Sequence, residues 1–301
     1  MSPSIHLCDR LKDIEESRRH FLMRLSGLAG GMAVALIFGC GKAFGLSQLV
    51  SVDPDDSRIN TKMVKYRGLN DMKAYMARPS DLKKYPTIML FHDIYGLDKH
   101  MKDVARRFAL EGFFVLVPDA LAPMGGTPAK RSEAVAMMRR LMTDKDELKD
   151  EHNKIDVVKN FEAAIGRIQG YEFSNGRVGF VGFGWGGTMA VQLAARSIDI
   201  PAAVSFYGGM TKFRGRKNLR TEFLYHVPDN DNRIIKQLHD YETQLIDAKI
   251  LYTIHRYRDT NSGFFDDTTP KRYNEEEAEL AWTRSIELLK DKLIDKRFDF
   301  R

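Results

Sequence analysis

The stretch Arg177-Val-Gly-Phe-Val-Gly-Phe-Gly-Trp-Gly-Gly187 is the place to look first for chemistry. Val178 to Phe183 is an apolar run of the kind that forms a buried strand. It breaks at Gly182-Phe183-Gly184-Trp185-Gly186. A helix is expected from Gly187 to Arg196, with Met189, Ala190, Leu193 and Ala194 on its apolar side. Strand, G-x-nucleophile-x-G turn and helix make a nucleophile elbow, which lifts the side chain of its middle residue clear of the backbone. That residue is usually Ser, and sometimes Cys or Asp. Here it is Gly184, which has no side chain. The frame for nucleophilic attack is written in the sequence without its attacking atom.

The elements that must hold this turn follow from periodicity. Met63 to Arg67 and Lys73 to Ala77 alternate around Gly68-Leu-Asn-Asp71, which predicts an antiparallel hairpin. Pro86–His92, Phe113–Asp119, Ala202–Tyr207, Thr221–His226 and Lys249–His255 read as further strands, the first two as continuous apolar runs suited to a parallel sheet. Helices are expected at about Lys99–Glu111, Ala129–Met142, Asp146–Gln169, Ile234–Asp247 and Asn274–Lys292. Strands alternating with helices predict a doubly wound, mainly parallel sheet.

Composition fits one such domain and an appendage. The chain has 301 residues, 43% hydrophobic and 29% charged, as in an ordinary globular protein. A net charge of +6 spread along the chain is too mild to imply nucleic acid. The one dense basic cluster, Lys212, Arg214, Arg216, Lys217 and Arg220, reads as a loop, either merely solvated or in contact with an anion or headgroup. The two cysteines, Cys8 and Cys40, precede the folded part, which leaves it no thiol nucleophile, disulfide or cysteine metal site. No His spacing suggests a metal, and no cofactor motif is present.

The N-terminus has its own signature. Ser17-Arg18-Arg19-His20-Phe21-Leu22-Met23 resembles a twin-arginine export signal, followed by an apolar stretch from Leu25 to Phe38. That stretch is shorter than the ~20 residues a membrane span needs, and suits a signal peptide. Ile37-Phe38-Gly39-Cys40 would place a lipid on Cys40; Ala43-Phe44-Gly45 offers ordinary cleavage; an uncleaved anchor is the third outcome. The expected division is a signal segment over 1–45, a linker over 46–60 and the folded domain over 61–301. The expected partners are the export machinery, a membrane through the N-terminus, and a small molecule.

From about Lys62 to Leu293 the sequence resembles the dienelactone hydrolases, and among them the exported branch with twin-arginine signals. The matching segments are His92-Asp-Ile-Tyr-Gly-Leu97, Gly112-Phe-Phe-Val-Leu-Val-Pro-Asp119, Gly182–Gly187, Tyr225-His-Val-Pro-Asp-Asn-Asp-Asn-Arg-Ile234, Ser262-Gly-Phe-Phe-Asp-Asp-Thr-Thr269, Tyr273-Asn-Glu and Ala278-Glu-Leu-Ala-Trp282. Their order and spacing follow the family. The resemblance implies an α/β-hydrolase fold preceded by an N-terminal signal or anchor helix. It also implies ester or lactone hydrolysis by a Cys, Asp, His triad, in which the Cys attacks, the His moves the proton and the Asp orients the His.

Mapped onto this chain, the Cys position is Gly184, the Asp position is Asp231 and the His position is Ser262. The oxyanion hole of the fold uses backbone N–H groups, here of Trp185 and Ile94. Asp93 stands where the family has an acid that contacts the thiol, with His92 and Tyr95 beside it in the pocket. Asp266 lies in the region where the archetypal enzyme has an Arg. These assignments imply a catalytically impaired member that still grips a small carbonyl or carboxylate compound. The alternatives are a hydrolase with a relocated nucleophile, for which Ser205 and Tyr207 are the neighbours, and a scaffold that binds nothing.

Overall fold

Five buried strands form the centre of one eight-stranded sheet, with a hairpin extending it at one edge and a more polar strand closing the other. The computed structural model describes residues 50–143, 155–197, 199–210, 212–217 and 219–294. The expectations for the signal segment, for Cys8 and Cys40, and for 46–49 lie outside them. The strands are β1 (Ile59–Arg67), β2 (Asp71–Pro79), β3 (Tyr85–Phe91), β4 (Phe114–Pro118), β5 (Ser174–Phe183), β6 (Ala202–Phe206), β7 (Glu222–Pro228) and β8 (Leu251–Tyr257). Their order is β1-β2-β4-β3-β5-β6-β7-β8. β1 and β2 pair antiparallel, as does β2 with β4; from β4 to β8 all neighbours are parallel.

The helices are α1 (Lys99–Leu110), α2 (Arg131–Thr143), α3 (Val157–Gln169), α4 (Trp185–Ala194), α5 (Asn232–Asp247) and α6 (Glu275–Leu293). α1 and α6 share one face of the sheet, where Phe108 and Trp282 lie 4.3 Å apart between ring centroids. α3 and α4 cover the other, where Phe161 meets both Phe91 of β3 and Trp185. Trp282 is buried in the core, as are Ile88 to Phe91 of β3 and Phe180 to Phe183 of β5.

The elements differ from expectation mainly at their ends. α3 starts at Val157, where the Asp156 side chain accepts the Lys159 N–H and caps the helix; the expected helical stretch from Asp146 to Lys154 lies outside the described residues. α4 starts at Trp185, directly on the turn. β1 begins at Ile59, inside the stretch expected as a linker. Val52, further upstream, is already anchored, with its N–H on Asp103 Oδ1 at 2.7 Å and its carbonyl on Arg106 at 2.7 Å. β8 begins at Leu251, since Lys249 adopts φ 55° and belongs to the turn before it.

Candidate functional site

At the carboxyl end of β5 the backbone turns on Gly184, with φ 51° and ψ −117°. This region is sparsely populated for residues that carry a Cβ. The Gly184 N–H donates to the Phe206 carbonyl at 2.9 Å, which ties the turn to the end of β6. The first turn of α4 presses onto the end of β3: a Cβ on Gly186 would lie 2.3 Å from the Phe91 carbonyl oxygen. The sharp turn and the close approach that the elbow needs are both present, as the glycine spacing implies.

The chain leaving β3 supplies the second half of the site. Asp93 Oδ1 accepts the Ile94 N–H at 2.7 Å and the Trp185 N–H at 3.2 Å. These are the two donors expected to line an oxyanion hole, and the protein's own carboxylate holds both. A Cβ built on Gly184 would lie 2.1 Å from the same oxygen. Asp93 therefore fills the space of the missing elbow side chain as well. Burial raises the Asp93 carboxyl above the ordinary carboxylate range; the two N–H groups and Arg272 pull the other way without cancelling it.

His92 is not a pocket residue. It is fully buried, its Nδ1–H donates to the Asp93 carbonyl at 2.8 Å, and its Nε2 accepts the Ala120 N–H at 3.0 Å. With one nitrogen donating and the other accepting, the ring is a neutral tie between two loops and has no lone pair left for a substrate proton. Its neighbour Asp93 in sequence suggests the pocket; the hydrogen bonds to the Asp93 carbonyl and the Ala120 N–H turn it inward instead.

Asp231 and Ser262 come together, the Ser262 hydroxyl donating to Asp231 Oδ2. Asp231 also caps α5 through the Arg233 and Ile234 N–H groups at 3.0 and 3.3 Å. Burial alone would raise its pKa, but the Ser262 hydroxyl, the Arg233 guanidinium and these N–H groups outweigh it and leave it lowered. The positions expected for the acid and the base are hydrogen-bonded to each other, with a hydroxyl where an imidazole was sought. A hydroxyl cannot take a proton near neutral pH.

Around Asp93 a cavity is lined by Tyr95, Met101, Phe183, Tyr207, Asp266 and Arg272, among others, with room of about 10 Å³, a single water. Arg272 donates to the Tyr95 hydroxyl at 2.9 Å. Arg131 stacks on Tyr95 at 4.5 Å from the ring centroid and pairs with Asp98 at 2.7 Å and Asp266 at 2.9 Å. The position where an arginine was sought, Asp266, is thus an acid held by an arginine from elsewhere. Sequence reasoning missed Arg131 and Arg272, since both sit on or beside irregular segments. Arg272 directly precedes the matched segment at Tyr273.

Displaced nucleophiles can be tested against the same geometry. Among the described residues, Ser285 and His226 form a serine–histidine pair at 2.9 Å, with the Tyr257 hydroxyl 2.6 Å from the other ring nitrogen. The polarity is wrong for catalysis. The Ser285 hydroxyl donates to the Ala281 carbonyl at 2.7 Å, so His226 must donate to it rather than accept from it. Both residues are fully buried, and burial holds His226 well below its usual pKa. Ser205 is 3% exposed, and Tyr207 is a buried phenol whose pKa burial drives well up. His100, Asp266 and Asp267 place potential metal ligands within 4.8 Å of one another. Arg131 and Arg107 already pair with the two carboxylates, so a cation there would have to displace arginines.

The family model for the dienelactone hydrolase family matches residues 72–293. A carboxymethylenebutenolidase of Pseudomonas sp. (strain P51) is 26% identical over 208 residues, covering 68% of this chain and 84% of that protein. A probable 2-oxo-3-(5-oxofuran-2-ylidene)propanoate lactonase of Bradyrhizobium sp. is 26% identical over 238 residues, covering 74% of this chain and 91% of that protein. Among solved structures, the dienelactone hydrolase-like promiscuous phosphotriesterase P91 from metagenomic libraries aligns with a TM-score of 0.65 at 18% identity, over 79% of this chain and 100% of that one. That last likeness speaks to the fold alone.

Proposed function

The chain belongs to the dienelactone hydrolase family, and from that premise we propose that it is a catalytically impaired member which binds a small carboxylate or carbonyl compound at the amide cradle of Ile94 and Trp185. One observation carries this reading: Asp93 Oδ1 sits on both cradle donors, so the cradle has the geometry to hold a carboxyl or carbonyl oxygen. Gly184 supplies no nucleophile and Ser262 no base, which removes acyl transfer through the elbow. An external carboxylate must displace Asp93, with Arg272 as the nearby cation. The N-terminal signature supports export by the twin-arginine route. Intact mass of the mature protein tests that part, and distinguishes lipid on Cys40 from cleavage after Gly45 and from an uncleaved anchor.

The binding test is thermal shift against a panel of small carboxylates and esters, for the wild type and for Asp93→Ala. The variant should be stabilised by carboxylates at concentrations that leave the wild type unmoved. No shift in either protein refutes ligand binding. Hydrolysis of p-nitrophenyl acetate at more than a few turnovers per second, abolished by one point mutation, refutes the impairment. A second reading, a scaffold that binds nothing, is favoured by the small cavity; the same panel decides between the two.

A further inference from the structure

We propose that the basic loop between β6 and β7 is a docking surface for a bilayer that carries anionic phospholipid. From Arg196 to Arg220 the chain has six cations, Arg196, Lys212, Arg214, Arg216, Lys217 and Arg220, and a single acid, Asp199. All six are exposed. None has an ion-pair partner among the described residues, whereas Arg131, Arg233, Arg256 and Lys292 are all paired. A helix C-terminus attracts cations, and the end of α4 lies here, but that effect is confined to the last turn and does not account for six charges.

The loop is held in place. The Phe213 N–H donates to Gln244 Oε1 at 3.0 Å, and the Phe213 ring packs edge-on against Phe223 and Tyr241. The Arg216 N–H donates to the Ala195 carbonyl at 3.1 Å, at the C-terminal end of α4. The charges are therefore carried on a scaffold fixed to α4 and α5. Since the cradle is at the N-terminus of the ten-residue α4, the basic surface sits about 15 Å away along that helix. A membrane bound at this end leaves the cradle mouth unobstructed.

Two features favour lipid over nucleic acid. The loop's two aromatic rings, Tyr207 and Phe213, are both packed inward, which leaves no platform for stacked bases. The N-terminus also offers an apolar anchor in two of its three outcomes, lipid on Cys40 or an uncleaved Leu25–Phe38, and one such anchor combined with a polybasic patch is the two-signal arrangement that gives firm membrane attachment.

The test is co-sedimentation of the full chain with vesicles of phosphatidylcholine alone and with about 30% phosphatidylglycerol. The readout is the ratio of the two partition coefficients, which cancels the apolar contribution common to both. Each cation near an anionic surface contributes about fivefold. The wild-type ratio should be well above one and collapse at high salt. Arg214→Gln with Arg216→Gln and Lys217→Gln should cut it about 100-fold at an unchanged melting temperature. Lys62→Gln with Lys65→Gln, exposed cations on β1, should leave it nearly unchanged. A wild-type ratio near one, a triple variant that keeps the ratio, or tighter binding to a short DNA duplex than to the anionic vesicles would each overturn the proposal.

Discussion

A methyl group added at Gly184 probes the whole site at once. The backbone there, φ 51° and ψ −117°, costs a side-chain-bearing residue about 1–3 kcal/mol. The new Cβ would also lie 2.1 Å from Asp93 Oδ1 and 2.4 Å from its Cγ, well inside contact distance. Asp93 must then swing off the Ile94 and Trp185 N–H groups, which leaves two backbone donors without their acceptor, a net loss of about 2 kcal/mol. Gly184→Ala should therefore destabilise by about 3–5 kcal/mol, a fall in Tm on the order of 10 °C for a domain of this size.

The clash and the strain separate in a double-mutant cycle. In an Asp93→Gly background the three atoms nearest the methyl group are gone, so Gly184→Ala should cost mainly the strain, about 1–3 kcal/mol, and the coupling should be about 2 kcal/mol. Urea unfolding at pH 7 measures all four corners. A cost for Gly184→Ala below about 1 kcal/mol, or equal costs in the two backgrounds, refutes the placement of Asp93 in the elbow space.

Other outcomes follow from the same geometry. Because burial raises the Asp93 pKa, the fold favours its protonated form, so its contribution to stability is present at acid pH and lost as pH rises through the raised value. Asn cannot ionise but can accept the same N–H groups, so Asp93→Asn should gain on the wild type as pH climbs from about 4 to about 8; parallel curves of Tm against pH would sink this account. Ser285→Ala should lower stability by about 1–3 kcal/mol, by unpairing buried His226, and leave any residual esterase rate unchanged; a lost rate would make Ser285 the relocated nucleophile. Gly184→Cys with Ser262→His should stay nearly inert while Asp93 blocks the thiol, and adding Asp93→Ala should raise the rate on p-nitrophenyl acetate sharply. If the double variant is already as active as the triple, Asp93 is no obstruction.

Much of the frame is readable from local pattern. The glycines from Gly182 to Gly187 follow an apolar run and precede a helical one, so turn, strand and helix announce themselves together. The β1–β2 hairpin shows through its alternation around Gly68. Asp156, whose side chain takes the Lys159 N–H, is a helix-start signal readable in the sequence at the first turn of α3. What the sequence could not disclose is tertiary. Asp93 and Trp185 are 92 positions apart, and that they share an oxygen depends on β3 and β5 being sheet neighbours. His92 looked like a pocket residue beside Asp93; its real partner, Ala120, comes from the end of a different strand. Arg131 reaches Asp266 from 135 positions away, and no periodicity marks it.

The imidazole of His92 acts as a rivet. It joins the segment carrying Ile94 to the one after β4, and neither of its nitrogens takes part in a reaction. The proposed loss of the thiol and the base takes away nothing that this rivet relies on. The stiff half of a catalyst can therefore persist under selection for folding alone, and a lineage that re-acquired the reactive groups would find the backbone already in position.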